Sequence, residues 1–152
     1  MQVVYAKEPL PSSPKSLFLA GPTPRSSEVL SWRVEALRHL QEAKFDGLVF
    51  TPEPRDGQWA GDYTDQIEWE TEGLQRAVKI LFWIPREMKT LPGLTTNIEW
   101  GIWAASGKVV LGTPPEAEHV RYIRHMARKL KVATFNNLPE AIYYTVMTLE
   151  GT

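Results

Sequence analysis

Short apolar runs alternate with longer amphipathic stretches along this chain. SLFLAG (16–21), GLVFTP (47–52), VKILFWIP (78–85) and KVVLGTP (108–114) are nearly continuous in hydrophobic residues and closed by glycine or proline. That is the pattern of strands buried on both faces. KVATF (131–135) is a weaker fifth. Helical spacing fills the gaps. A Ser26 or Ser27 cap opens a helix to about Lys44, with Val29, Trp32, Ala36, Leu37 and Leu40 on one face. Further helices are expected over Asp62–Ala77, Thr95–Ser106, Ala117–Leu130 and from Pro139 to about Leu149.

Strands alternating with helices of this length imply a parallel α/β sheet. The simplest arrangement is a three-layer, flavodoxin-like fold: five strands in the order 2-1-3-4-5, with helices on both faces. Residues 1–15, rich in proline and serine, read as an extended N-terminal arm, and residues 16–152 as a single domain. Such sheets bind ligands beyond the carboxyl ends of their strands. Prolines mark that rim: Pro22 and Pro24, Pro52 and Pro54, Pro85, and Pro114 and Pro115. Each can be a simple strand terminator; together they suggest stiffened loops around one cleft.

Composition narrows the function. The 152 residues are 43% hydrophobic and 23% charged, with a formal net charge of -1 and no basic run. A nucleic-acid polymer is not the expected partner. The absence of cysteine removes disulfides, thiolate metal sites and a cysteine nucleophile. No metal site is expected, since the three histidines lack ligand spacing. No apolar stretch nears the roughly 20 residues of a membrane span, and the first residues have no signal-peptide core. A cytoplasmic location is the default expectation.

Two acids stand out against this background. Between Thr90 and Gly107 the only ionisable side chain is Glu99, flanked by Ile98, Trp100, Ile102 and Trp103. A carboxylate in such company loses hydration, so it is paired, protonated or directed into a cleft. On the second helix, Ile67, Leu74 and Ala77 share a face, and Glu70 falls on it while Glu68 and Glu72 do not. Two carboxyl groups in different environments suit a division between nucleophile and acid at a glycosidic carbon. Read without function, either glutamate is a core residue satisfied by a neighbour. The loop GPTPR adds Gly21, Pro22, Thr23 and Arg25 at a helix entrance, where an anion or a sugar hydroxyl is favoured. Glu53 could read a base edge. Tyr63, Trp69, Trp83 and Trp100 could stack on a base, although most aromatics in such a chain are core. Gln66, Thr95, Thr96 and Asn97 complete the candidate substrate-binding set.

LFLAGPTPR, QIEWETEGLQRA followed by ILFWIPRE, and TTNIEWGIWAASGKVVLG together resemble the nucleoside 2-deoxyribosyltransferase-like family over about residues 16–115. The most specific part is Glu99-Trp100-Gly101 ahead of a Gly-Lys entering a strand. The second is an acid three residues before Gly73 and seven before Ala77. The resemblance implies a cofactor-independent double displacement: Glu99 attacks the anomeric carbon, Glu70 serves the departing base, and Gly21 with its loop lines the sugar pocket. It also implies a nucleoside or nucleotide and a free base as small-molecule partners, and a homo-oligomer. The chain departs from the family in having Pro85, Arg86 and Glu87 where an aspartate is usual, and Leu17 and Phe18 where a tyrosine is usual. Hydrolysis of a nucleotide by the same Glu99, with Arg25, Thr95 and Thr96 at a phosphate, is the alternative. An idle nucleotide-binding module is a third.

Overall fold

The computed structural model describes residues 1–59 and 61–151. Six parallel strands form one sheet: β1 (Gln2–Val4), β2 (Ser16–Ala20), β3 (Leu48–Phe50), β4 (Lys79–Trp83), β5 (Val109–Gly112) and β6 (Ala133–Phe135). Their order is β1-β3-β2-β4-β5-β6. The five expected strands therefore hold the expected order, and β1 adds a sixth on the β3 edge, in register from Gln2 opposite Leu48 to Val4 opposite Phe50. The first residues of the arm are thus sheet. Its remainder packs across the second helix, where Trp69 donates its indole N–H to the Glu8 carbonyl and Arg76 donates to that of Leu10.

Five helices connect the strands: α1 (Trp32–Glu42), α2 (Tyr63–Arg76), α3 (Leu94–Trp103), α4 (Arg121–Lys129) and α5 (Leu138–Glu150). Because side chains alternate along a strand, each strand feeds two cores. Phe18, Ala20, Phe50, Ile80, Phe82 and Leu111 pack against Trp69 and Leu74 of α2, Trp100 of α3, and Ile123 of α4. Leu17, Leu19, Val49, Leu81, Trp83 and Val110 pack against Trp32, Ala36 and Leu40 of α1 and Ile142 and Val146 of α5. These two layers explain why the strands read as unbroken apolar runs. Two aromatic expectations change here. Trp83 and Trp100 are buried, Trp100 edge-on to Phe82 with centroids 5.6 Å apart, so neither is free to stack on a ligand.

The first helix starts later than expected. Ser31, not Ser26 or Ser27, is its N-cap, accepting from the Arg33 backbone N–H. Residues 22–30 instead run along the rim, with a backbone bond from Arg25 to Thr90 across the mouth of the sheet. The end of α2 is closed by Lys108, whose ammonium donates to the carbonyls of Leu74, Gln75 and Ala77 at 2.9–3.0 Å. That cation meets the negative end of the helix dipole and fixes α2, which carries Glu70, against β5.

Candidate active site

A cavity of about 480 Å³ opens beyond the carboxyl end of β2. Its walls are the loop after β2, Pro52 after β3, the first half of α2, and the start of α3. This is where β2 leads to β3 on one side while its other neighbour is β4, the switch point at which such sheets bind ligands.

Backbone constraints shape the walls. Gly21 has φ +149°, and a Cβ there would lie 2.1 Å from the Trp83 carbonyl oxygen, so only glycine lets the loop leave β2 this close to β4. Gly93 opens α3 in the left-handed region, with Pro22 packed where a side chain would stand. The Trp32 indole N–H donates to the Pro22 carbonyl at 3.0 Å and pins the same loop from α1.

Glu70 and Glu99 meet at this cavity, their carboxyl groups within hydrogen-bonding reach of each other. Glu70 projects from the buried side of α2 as the spacing predicts, but the companions differ. Gln66, Trp69, Gly73 and Leu74 are the buried residues, and Ile67 faces outward. Gln66 is buried; its side-chain amide donates to the Pro52 carbonyl at 2.9 Å and to Glu70 Oε1 at 2.6 Å. On α3, Ile98 and Ile102 are mostly exposed, so the apolar flanks are not what dehydrates Glu99. Its burial comes from the opposing face of α2 and the loop after β2.

The electrostatics follow from this contact. Burial raises the Glu99 carboxyl, and the neighbouring Glu70 raises it further, to about 8. Burial raises Glu70 as well, against the hydrogen bond from Gln66. Two carboxyls this close in a partly buried site do not both ionise easily, so burial and mutual repulsion favour keeping a proton on the pair. The Arg33 charge pulls in the other direction on both.

The remaining candidates divide. Pro22, Thr23, Arg25, Tyr63, Gln66, Thr95 and Thr96 line the cavity, Thr96 buried and Tyr63 and Arg25 at the exposed mouth. Glu53 does not line it. It accepts from Ser31 at 2.7 Å, pairs with Arg33 at 3.7 Å and faces an adjoining cavity. Trp69 is a core residue against Phe18. Asn97 points away, accepting from Arg86. The rim prolines split likewise: Pro22, Pro24 and Pro52 line the cavity together with Pro92, whereas Pro54, Pro85, Pro114 and Pro115 do not. The lining residues outside the candidate set include Arg33, and Trp59 on the loop before α2. Arg33 falls at helical spacing with Ala36 and Leu40 on the apolar face of α1, the signal that marks Glu70. Among the described residues, no three His, Cys, Asp or Glu side chains gather to hold a metal ion.

The site thus defines an α/β protein with a paired-carboxylate pocket at its sheet edge. Residues 14–117 match the family described as nucleoside 2-deoxyribosyltransferase like, and the chain belongs to that family. No curated protein matches the chain. No helix among the described residues is long and apolar enough to cross a membrane.

Proposed function

We propose that this protein cleaves the N-glycosidic bond of a nucleoside or deoxynucleoside and transfers the sugar to another base. The observation that carries the reading is the Glu70–Glu99 pair, two largely buried carboxyls brought together in a cavity at the sheet's carboxyl edge. In the first step a Glu99 oxygen bonds to the anomeric carbon. The carbon–nitrogen bond breaks with its electron pair passing to the base, and Glu70 gives the base its proton. In the second step a nitrogen of the incoming base attacks the same carbon, the ester bond to Glu99 breaks, and the released proton returns to Glu70. The Gly21–Thr23 loop lies against the sugar, and Tyr63 at the mouth offers a face to the base.

One proton on the pair is what this sequence needs. A pair with no proton has no acid for the base, and a pair with two has no nucleophile. Positive charge developing on the sugar favours the anion on the attacking oxygen, which leaves the proton on Glu70.

Arg25, Thr95 and Thr96, which line the same cavity, support a second reading, in which the substrate carries a phosphate and water accepts the sugar. Incubating a deoxynucleoside, and separately its monophosphate, with a different free base separates the two. Transfer predicts a new nucleoside in the first mixture. Free sugar phosphate from the second mixture alone, with no exchange, would overturn transfer in favour of hydrolysis. Products in neither would leave only a binding role.

An apolar stripe in the same region bears on quaternary structure. Leu94, Ile98 and Ile102 are 62–67% exposed and spaced four apart along one side of α3, and Leu94 also lines the cavity. We propose that a second copy of the chain covers this stripe next to the site. Sedimentation should report an oligomer that Ile98→Glu dissociates; a monomeric wild-type protein at micromolar concentration would contradict it.

A further inference from the structure

Arg33 is among the most buried side chains of the molecule, 2% exposed, in a position where a solvated helix would carry a leucine. An arginine is buried only when its donors are met and its charge is matched. Its Nε donates to the Leu19 carbonyl at 3.0 Å and Nη2 to that of Gly21 at 2.8 Å. Nη1 donates to Thr23 Oγ1 at 3.1 Å, with the Pro22 carbonyl at 3.5 Å. One planar guanidinium therefore spans the end of β2 and the loop that forms one wall of the cavity. The Trp32 ring covers its face, 4.7 Å from centroid to Cζ. Its charge is answered by Glu53, 3.7 Å away on the loop after β3, and Arg33 lines the same cavity as Glu70 and Glu99, whose carboxyls favour its charged form.

We propose that Arg33 is a positioning residue for the glycosyl chemistry: its fork fixes the Leu19–Thr23 wall, and its charge is the buried counter-ion that lets the carboxyl pair hold one negative charge. This rests on the assignment of Glu99 and Glu70 to the reaction, but the charge relationship itself is a property of the free protein. The titratable and charged groups facing the pair are few. Arg33 comes from α1, Arg25 from the loop after β2 and Tyr63 from α2, while α3 brings only Glu99 itself. Glu53 reaches Arg33 from the loop after β3 and competes for its charge. Arg25 is exposed to water and screened, so the buried guanidinium dominates.

The fork and the charge can be separated by substitution. Arg33→Gln removes the charge and leaves at most two of the fork's five donors, and Arg33→Lys keeps the charge without the fork. Glu53→Gln leaves Arg33 intact and removes its other anion. The readout is the titration of the pair in protein labelled with carbon-13 at the glutamate carboxyls, assigned with Glu70→Gln and Glu99→Gln. It requires no substrate. Arg33→Gln should move the pair's titration up by about one pH unit or more, Arg33→Lys should leave it close to wild type, and Glu53→Gln should move it down. Both Arg33 variants should raise KM for the nucleoside, because both loosen the loop. An unmoved titration in Arg33→Gln, or equal shifts in the Lys and Gln variants, would overturn the proposal. If Arg33→Gln fails to fold, the downward shift in Glu53→Gln decides, and its absence overturns the proposal. Absence of any glycosyl chemistry in the wild type would remove the functional reading and leave the titration result standing.

Discussion

Glu99→Gln is expected to lower turnover at least about 10⁴-fold, because a nucleophile that forms a covalent intermediate has no substitute within the site. The variant should fold. Its stability also carries a signed prediction. The Glu99 carboxyl binds its proton more tightly in the folded protein, at about 8, than at its ordinary value of 4.5. Between those values the folded state holds more protons than the unfolded chain, so stability from this group is fully present below about pH 4.5. It is lost as pH rises through 8. Glutamine at this position has no such proton to lose. The variant should therefore show a flatter stability profile over this interval, and gain most relative to the wild type at its alkaline end. Thermal melts across the interval check this, and parallel profiles would mean that Glu99 is not held protonated in the fold.

Glu70→Gln should have the second-largest effect, and a selective one. Loss of the proton donor should slow departure of poorly leaving bases by about 10²–10³-fold. Bases already activated as leaving groups should lose far less. The same change removes the neighbour that repels charge on Glu99, so the nucleophile should remain ionised to lower pH and the acid limb of the rate profile should move down. Turnover of a paired series of good and poor leaving groups tests both halves. An equal loss across the series, with an unmoved acid limb, would assign Glu70 to binding alone.

Legibility from sequence tracked how local each feature is. The parallel sheet followed from apolar runs that had to be covered on two faces, and SLFLA and KILFW are fully or nearly fully buried for that reason; the strand order was the simplest arrangement of such a sheet. QVV at the N-terminus escaped notice because an edge strand of three residues leaves half its side chains to solvent, and the prolines after it dominate the local pattern. Glu70 was visible as an acid on an apolar helical face. Glu99 was visible for a reason only partly physical, since Ile98 and Ile102 look outward and Trp100 alone of its near neighbours is deeply buried. Arg33 obeyed the Glu70 rule equally well, yet in a helix rich in Glu and Arg it looks like one more surface charge. Only the tertiary path of the end of β2 and the loop after it turns four acceptors toward it. Glu53 and Asn97 illustrate the converse: polar residues at the right rim that do not line the cavity, Glu53 being held by Ser31 and Arg33 and Asn97 by Arg86.

The most direct test of the covalent mechanism is mass spectrometry of enzyme denatured within its first turnovers on a deoxynucleoside. The expected result is a protein population heavier by one deoxyribosyl group, with the added mass on the peptide bearing Glu99 and discharged when a second base is supplied before the quench. Steady product formation with the sugar on another residue, or with no adduct at any quench time and no burst of free base, would contradict it.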